Sequence, residues 1–300
     1  MPSLTGLVKL LRPRQWTKNL VCLGGVFFSG NALSRHADVR AGIALAGFCA
    51  ASGFVYIIND VLDREQDGKH PRKKLRPVAS GEVSVRQALG FAAGMLAAAL
   101  ALGSTLGLGE AAILGLYIVM NIAYSLGLKT LSLVDAMVVA AGFILRVYAG
   151  TVAVSVAPSA WLLLCTLFLA LFLAFGKRRA EINAVGTEPE PVRREVTATR
   201  AVLHKYNVAM LDRFCNICAT LTIATYALFT VLGHTDRTLI ITTPPVVMGI
   251  FRYLLLVERY QEGEAPDAIL LKDWAIQLAI VLWGILYVAV IYFGLHIDVQ

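Results

Sequence analysis

The chain has 300 residues, 57% of them hydrophobic and only 16% charged, with a formal net charge of +7. Soluble domains carry about 25% charged residues, so a water-soluble globule of this size lacks the polar surface to cover its core, and lipid is the expected solvent. The bases flank apolar runs instead of forming a compact patch, which argues against nucleic-acid binding and for membrane orientation.

Arg12, Arg14 and Lys18 precede the first apolar run. No A-x-A-like cleavage site follows it, so it reads as a first span and not as a removed signal. Crossing about 30 Å of hydrocarbon takes roughly 17 to 25 mainly apolar residues. Segments 19–33, 40–61, 87–108, 111–127, 132–152, 160–176, 214–233, 239–257 and 273–295 are the candidates. The expected fold is all-α: a polytopic membrane bundle of about nine transmembrane helices. The 87–108 stretch is rich in Ala and Gly, which let helices approach closely in lipid. The longest polar stretch is 177–213, so no soluble domain can be cut out and 1–300 reads as one membrane domain. The five cysteines all lie in apolar stretches. Cys215 and Cys218 form a CxxC, but without a second CxxC small buried side chains are the better account.

Lys and Arg set the expected orientation. The 62–86 loop holds Arg64, Lys69, Arg72, Lys73, Lys74, Arg76 and Arg86, and the 177–213 stretch is similarly basic. With nine spans these segments share one side with the N-terminus, Lys129 and the 258–272 loop. That places the N-terminus in the cytoplasm, the C-terminus outside, and the charged residues on the cytoplasmic face of the cell inner (plasma) membrane.

The densest polar motif is Asn59-Asp60-Val61-Leu62-Asp63-Arg64-Glu65-Gln66-Asp67. Asp60, Asp63 and Asp67 stand at i, i+3, i+7, which on a helix puts three carboxylates on one face, with Asn59 one turn before Asp63. Like charges this close repel unless a cation sits among them, and oxygen ligands at this density suit Mg²⁺ shared with substrate phosphates. The basic run 69–76 follows at once. Acids that hold a metal beside bases that hold phosphate suit diphosphate chemistry.

Segment 59–67 resembles the NDxxDxxxD motif of the UbiA-type intramembrane prenyltransferase superfamily, and 70–81 resembles the stretch that follows it. The resemblance covers essentially the whole chain. It implies a nine-span fold and Mg²⁺ held by Asp60, Asp63 and Asp67 on a substrate diphosphate. Most members carry a second acidic motif, DxxxD, on a later span. Here that place reads Phe175-Gly176-Lys177-Arg178-Arg179-Ala180-Glu181. Only Glu181 remains acidic, and bases replace the first acid. One acidic and one basic cluster suit a metal-diphosphate plus a further phosphate, with Lys177 as a point charge and Arg178 as a planar fork.

Three other segments, Arg12-Pro13-Arg14-Gln15-Trp16-Thr17-Lys18-Asn19, Tyr124-Ser125-Leu126-Gly127-Leu128-Lys129 and Phe251-Arg252-Tyr253, together with Phe-Gly-Lys-Arg, resemble the decaprenyl-phosphate phosphoribosyltransferase branch. That branch moves phosphoribose onto a lipid phosphate and serves the supply of lipid-linked arabinose for cell-wall glycans. The resemblance implies phosphoribosyl diphosphate as donor and a polyprenyl phosphate as acceptor. Asp60, Asp63, Lys177 and Arg178 are then the central residues. Lys129, with Arg12, Lys18 and Arg252 in weaker roles, would grip phosphate, and Asn59, Arg76, Tyr124 and Glu181 complete the substrate-binding set. The rival within the superfamily moves a prenyl group from a diphosphate to an aromatic or other small acceptor. A transporter would need a polar pathway across the membrane, whereas these charges gather on one side. Arg146, inside the fifth span, either lines the cavity or snorkels to the outer interface. Asp135 either caps a helix start or makes a polar contact in the site.

Overall fold

The computed structural model describes residues 4–30, 34–69, 73–187, 203, 205–233, 237–259, 269 and 272–297. All regular structure among them is helical: α1 (Leu4–Leu10), a 3-10 helix (Pro13–Leu23), α2 (Gly24–Phe28), α3 (Arg35–Leu62), α4 (Arg64–Lys69), α5 (Val85–Leu106), α6 (Leu108–Leu126), α7 (Val134–Ala153), α8 (Ala160–Thr187), α9 (Val208–Leu232), α10 (Thr243–Arg259) and α11 (Trp274–Ile291), with short 3-10 turns at Lys73–Leu75, Leu128–Thr130 and Arg237–Thr242. Eight of the described segments are long and apolar enough to cross a bilayer. With the N-terminal helical segment beside them they match the expected count of about nine. The chain is an integral membrane protein.

The first apolar run is not one long α-helix. It is a 3-10 helix that begins at Pro13 and passes into the five-residue α2. Residues 31–33 of that candidate span lie outside the described residues. A second difference lies in the stretch 177–213, whose first part is not a loop: α8 runs unbroken to Thr187. The helix carries its bases straight out of the apolar span, because the polar residues from Lys177 onward include no Gly–Pro punctuation before Gly186 to stop it. Residues 188–200, with Arg193, Arg194 and Arg200, lie outside the described residues.

The chain divides into two compact units: the described residues of Met1–Val138 and Leu145–Ala157, and those of Val139–Ile144, Pro158–Arg193 and Ala201–Gln300. In the first unit, α3 packs on α5 and α6. Its buried face, Ala41, Ala44, Phe48, Ala51 and Val55, repeats at three- and four-residue spacing and is mostly small, as close helix packing in lipid requires. Phe48 meets Tyr117 of α6 with ring centroids 5.2 Å apart. Between α5 and α6 the chain reverses at Gly107, whose φ of 121° and ψ of 171° belong to a region essentially restricted to glycine. Arg40 of α3 closes two helix ends, donating to the Ala153 carbonyl at 2.5 Å and the Leu106 carbonyl at 3.3 Å, which a cation near helix C-termini favours. Glu110, in the first turn of α6, is fully buried, and its carboxylate oxygens accept no hydrogen bond among the described residues.

The N-terminal segment lies against α7 at glycine. A Cβ on Gly150 would stand 1.8 Å from the Cys22 carbonyl oxygen, and one on Gly25 would stand 2.3 Å from the Gly150 backbone. The two backbones touch, so neither position admits a side chain.

In the second unit, α8 packs along α9, and α10 along α11. Phe175 meets Phe214, and Phe172 meets Tyr253, each with centroids 5.1 Å apart. The Tyr226 hydroxyl joins Thr242 at 2.7 Å and accepts from Trp283 Nε1 at 2.6 Å, so polar groups of α9, the 237–242 turn and α11 satisfy one another. Cys215 and Cys218 are free and buried on α9.

A glycine pair tests the backbone contact. Gly150→Ala should destabilise the purified protein by about 1–3 kcal/mol or more through overpacking. Gly90→Ala, where a Cβ meets nothing within 4 Å, should match or exceed the parent. Thermal melting in detergent reads both, and an unchanged Gly150→Ala melt would show that the N-terminal segment does not seat on α7.

Candidate active site

The acidic motif sits where α3 ends. Asp60 lies in its last turn, and Asp63 is the capping residue, with φ −88° and ψ 5° and its N–H on the Asn59 carbonyl at 2.9 Å. The chain then re-enters a helix, and the Asp67 N–H bonds the Asp63 carbonyl at 2.8 Å. The i, i+3, i+7 spacing therefore survives across a break, not along one helix. The break has a consequence. Asp60 and Asp67 point to a common cation, whereas Asp63 faces another.

Asp60 and Asp67 are each 2% exposed. A buried carboxylate is tolerable only when paired and hydrogen-bonded, and distant segments supply the partners. Arg12 Nη2 and Arg76 Nη1 both donate to Asp60 Oδ1, the latter at 3.2 Å. The same Arg76 nitrogen donates to Asp67 Oδ2 at 2.5 Å, and Lys73 Nζ stands 3.9 Å from Asp67 Oδ1. Lys129 Nζ donates to Asp63 Oδ1 at 2.8 Å. The Arg12 guanidinium also lies over the Tyr56 ring, 5.2 Å from its centroid. Asn59 is half-buried at the same helix end, Tyr124 is half-buried on the last turn of α6, and Lys18 donates to Gln15 within the 3-10 helix.

Among the described residues no three acids form a ready-made metal cage. Two carboxylates converge on one positively charged nitrogen, and that fits a hard divalent cation. Mg²⁺ usually takes one or two carboxylates and leaves the rest of its sphere to water and substrate phosphate. The four surrounding cations, Arg12, Lys73, Arg76 and Lys129, have the chemistry to take phosphate oxygens in place of carboxylate oxygens.

In the second unit, Lys177, Arg178, Arg179 and Glu181 follow one another on α8. Arg178 Nη1 pairs with Glu181 Oε2 at 3.2 Å, and both side chains are nearly buried. Lys177 is half-buried. Arg179 faces elsewhere: Nε donates to Asp212 of α9 and Nη1 to the Val257 carbonyl at the end of α10, at 2.7 Å. Arg252 forks onto Asp273, with Nη2 to Oδ2 at 2.8 Å, and Asp273 caps α11 by accepting from the Ile276 N–H at 3.0 Å. These Arg252 hydrogen bonds hold the Asp273 carboxyl below the usual carboxylate range. Arg252 thus ties α10 to the start of α11.

Three participants escaped the sequence reading. Lys73 stood in a basic run with nothing to separate it from its neighbours. Asp212 and Asp273 gave no motif at all, and only tertiary pairing marks them. Arg146 does not snorkel, because it is buried with its guanidinium on Asn19 and Tyr117. Asp135 is fully buried in the first turn of α7.

The model of the UbiA prenyltransferase family matches residues 20–276. The chain belongs to the UbiA prenyltransferase family. It is 32% identical over 296 residues to a decaprenyl-phosphate phosphoribosyltransferase of Corynebacterium glutamicum, covering 96% of this chain and 87% of that one. A Mycobacterium tuberculosis protein of the same description is 32% identical over 295 residues, covering 96% and 95%. The fold matches the structure of a UbiA homolog from Archaeoglobus fulgidus bound to GPP and Mg²⁺, with a TM-score of 0.73 at 20% identity over 96% of this chain and 99% of that one. Within this UbiA chain, Asn59, Asp60, Asp63 and Asp67 form an N-D-x-x-D-x-x-x-D run, and residues 177–179 are Lys-Arg-Arg.

Arg179 and an exposed base should separate by stability. Arg179→Gln removes charged hydrogen bonds that join three helices and should cost about 1.5–3 kcal/mol. Arg86→Gln, at an exposed side chain in the first turn of α5, should leave the melting temperature near the parent's. Equal melts for the two variants would remove the structural role from Arg179.

Proposed function

We propose that this chain transfers 5-phosphoribose from phosphoribosyl diphosphate to a polyprenyl phosphate, giving polyprenyl-phosphoryl-phosphoribose and diphosphate. The observation that carries the reading is charge inversion on α8: a family that pairs two acidic motifs here presents one acidic motif and a basic Lys177–Arg178 pair. Near-full-length similarity to two decaprenyl-phosphate phosphoribosyltransferases supports it. On this reading 1–300 is one UbiA-type domain in the cell inner (plasma) membrane, with the acidic motif facing the cytoplasm.

Asp60 and Asp67, joined by Asp63 once Lys129 turns to phosphate, would hold Mg²⁺, which would supply positive charge to the leaving diphosphate. Arg12, Lys73, Arg76 and Lys129 exchange their carboxylate partners for phosphate oxygens and so neutralise the donor as it docks. As the sugar C1–O bond breaks, the leaving diphosphate gathers negative charge beside these bases, and the sugar gains oxocarbenium character. An oxygen of the lipid phosphate forms the new bond to C1. That oxygen is already anionic, so no protein base has to remove a proton. Lys177 and Arg178 grip the 5-phosphate or the acceptor phosphate, with Glu181 aiming the Arg178 fork. Asn59, Tyr124 and Lys18 line the donor side in lesser roles. Arg252, engaged by Asp273, contributes by holding α10 in register.

Two reactions decide the substrate class: phosphoribosyl diphosphate with polyprenyl phosphate, and polyprenyl diphosphate with 4-hydroxybenzoate. Turnover of the first pair alone is expected, and turnover of the second alone would refute the assignment. Asp60→Asn, or chelation of divalent metal, should remove most activity from folded protein. Lys177→Gln and Arg178→Gln should each lose about ten- to a hundredfold, the equivalent of 1.5–3 kcal/mol for a charged contact. Normal turnover by both would take the pair out of the mechanism.

Orientation is tested separately. Engineered cysteines in the 62–86 loop should resist membrane-impermeant thiol reagents in intact cells and react once the cells are opened. Labelling from outside would reverse the topology.

A further inference from the structure

Arg146 is a charged group 6% exposed within a membrane-spanning helix, a placement that is expensive and usually functional. Its fork is divided between two elements. Nε donates to Asn19 Oδ1 at 2.7 Å, on the 3-10 helix, and Nη2 donates to the Tyr117 hydroxyl at 2.8 Å, on α6. The guanidinium lies over the Tyr117 ring at 4.8 Å and the Phe48 ring at 5.8 Å. Asn19, itself 1% exposed, also accepts from Ser52 Oγ at 3.3 Å and donates to Cys49 Sγ at 3.4 Å, both on α3. One side chain therefore fixes the rotation and height of the 3-10 helix against three others.

The contact continues along both helices. Asn19 and Cys22 are three residues apart, one turn of a 3-10 helix. Arg146 and Gly150 are four apart, one turn of an α-helix. Asn19 meets Arg146, and the Cys22 carbonyl meets Gly150, so matched faces run side by side.

The other end of this rod reaches the acidic motif. Pro13 opens the 3-10 helix and restricts its own φ. Arg12 stands immediately before it in a left-handed conformation, φ 48° and ψ 61°. The corner is braced on both sides: the Arg12 N–H bonds the Lys9 carbonyl at 3.2 Å, the Gln15 N–H bonds the Arg12 carbonyl at 2.8 Å, and Trp16 Nε1 bonds the Leu11 carbonyl at 3.1 Å. Little slack remains between the helix axis and the Arg12 guanidinium on Asp60. From Asn19 to Arg12 the helix spans about 14 Å at 2.0 Å per residue.

We propose that Arg146 is a positioning residue for the transfer reaction: by holding Asn19 it sets the 3-10 helix along α7 and so places the Arg12 guanidinium at Asp60. The proposal rests on the phosphoribosyl-transfer reading for the identity of the donor, but not for the lever itself.

A double-mutant cycle on the full chain tests it. Arg146→Gln should reduce kcat/KM for phosphoribosyl diphosphate by about tenfold, the loss of one charged contact, while KM for the lipid acceptor stays near the parent's. Arg12→Gln should also reduce it. In the Arg12→Gln background, Arg146→Gln should then change kcat/KM by no more than about twofold, because the lever has nothing left to aim. A merely structural role would lower the melting temperature and multiply the two losses, and multiplication overturns the proposal. So does parental activity in Arg12→Gln. If Arg146→Gln does not fold, Asn19→Ala replaces it in the same cycle with the same expectations. If the parent turns over only prenyl diphosphate with 4-hydroxybenzoate, the donor assignment fails, and the cycle is read on that reaction, where non-additivity still supports the lever and additivity still sinks it.

Discussion

Two buried carboxylates govern the first unit. Asp60 and Asp67 are nearly out of contact with water, and an unpaired ionised carboxylate in such a place costs several kcal/mol. Their partners come from before the 3-10 helix, as Arg12, and from the segment after α4, as Lys73 and Arg76. Lys129 attends to Asp63 from beyond α6. Four cations converge because the acids demand it, and the convergence fixes where loop 73–84, the N-terminal corner and the end of α6 must lie. The same demand makes the site exchangeable. A carboxylate–guanidinium pair and a metal–phosphate pair have the same charge pattern with the roles divided differently, and on the proposed function a metal-bound diphosphate would take over these contacts.

The second unit solves a different problem with similar chemistry. Its arginines lie on long, mainly apolar helices, where packing alone gains little in lipid. Arg179 ties α8 to Asp212 and to the end of α10, and Arg252 ties α10 to the cap of α11. Of the three bases in a row on α8, one is therefore committed to holding helices together. The 100° step between successive helical residues turns the next base to a different face. Arg178 meets Glu181 on its own helix, an acid that can hold the fork in place without neutralising it permanently.

Close backbone contact carries the rest of the fold. Gly25 and Gly150 leave no room for a side chain between the N-terminal segment and α7, and Gly107 turns the chain between α5 and α6 in a single residue. In a bilayer, where oily side chains have no water to escape, such contacts and buried hydrogen bonds such as Arg146–Asn19 take over the role that apolar burial plays in soluble proteins.

Hydropathy alone determined that the chain crosses the membrane about nine times, because a span needs only length and apolar composition, both local properties. The acidic motif was equally legible, since three carboxylates at i, i+3, i+7 after an apolar run are costly without a cation. The basic run at Lys177 and Arg178 was visible as well, because residue type at one place is a local property. Which base answers which acid was decided only by the tertiary structure. Lys73, Arg76 and Lys74 look alike in sequence, yet it is Arg76 that bridges Asp60 and Asp67. Arg178 and Arg179 are adjacent, yet they serve different partners. The choice between a lining and a snorkelling Arg146 also waited on the fold, because Asn19, Ser52 and Tyr117 come from three separate segments. Pairing depends on the meeting of residues far apart in the chain, and no local pattern records it.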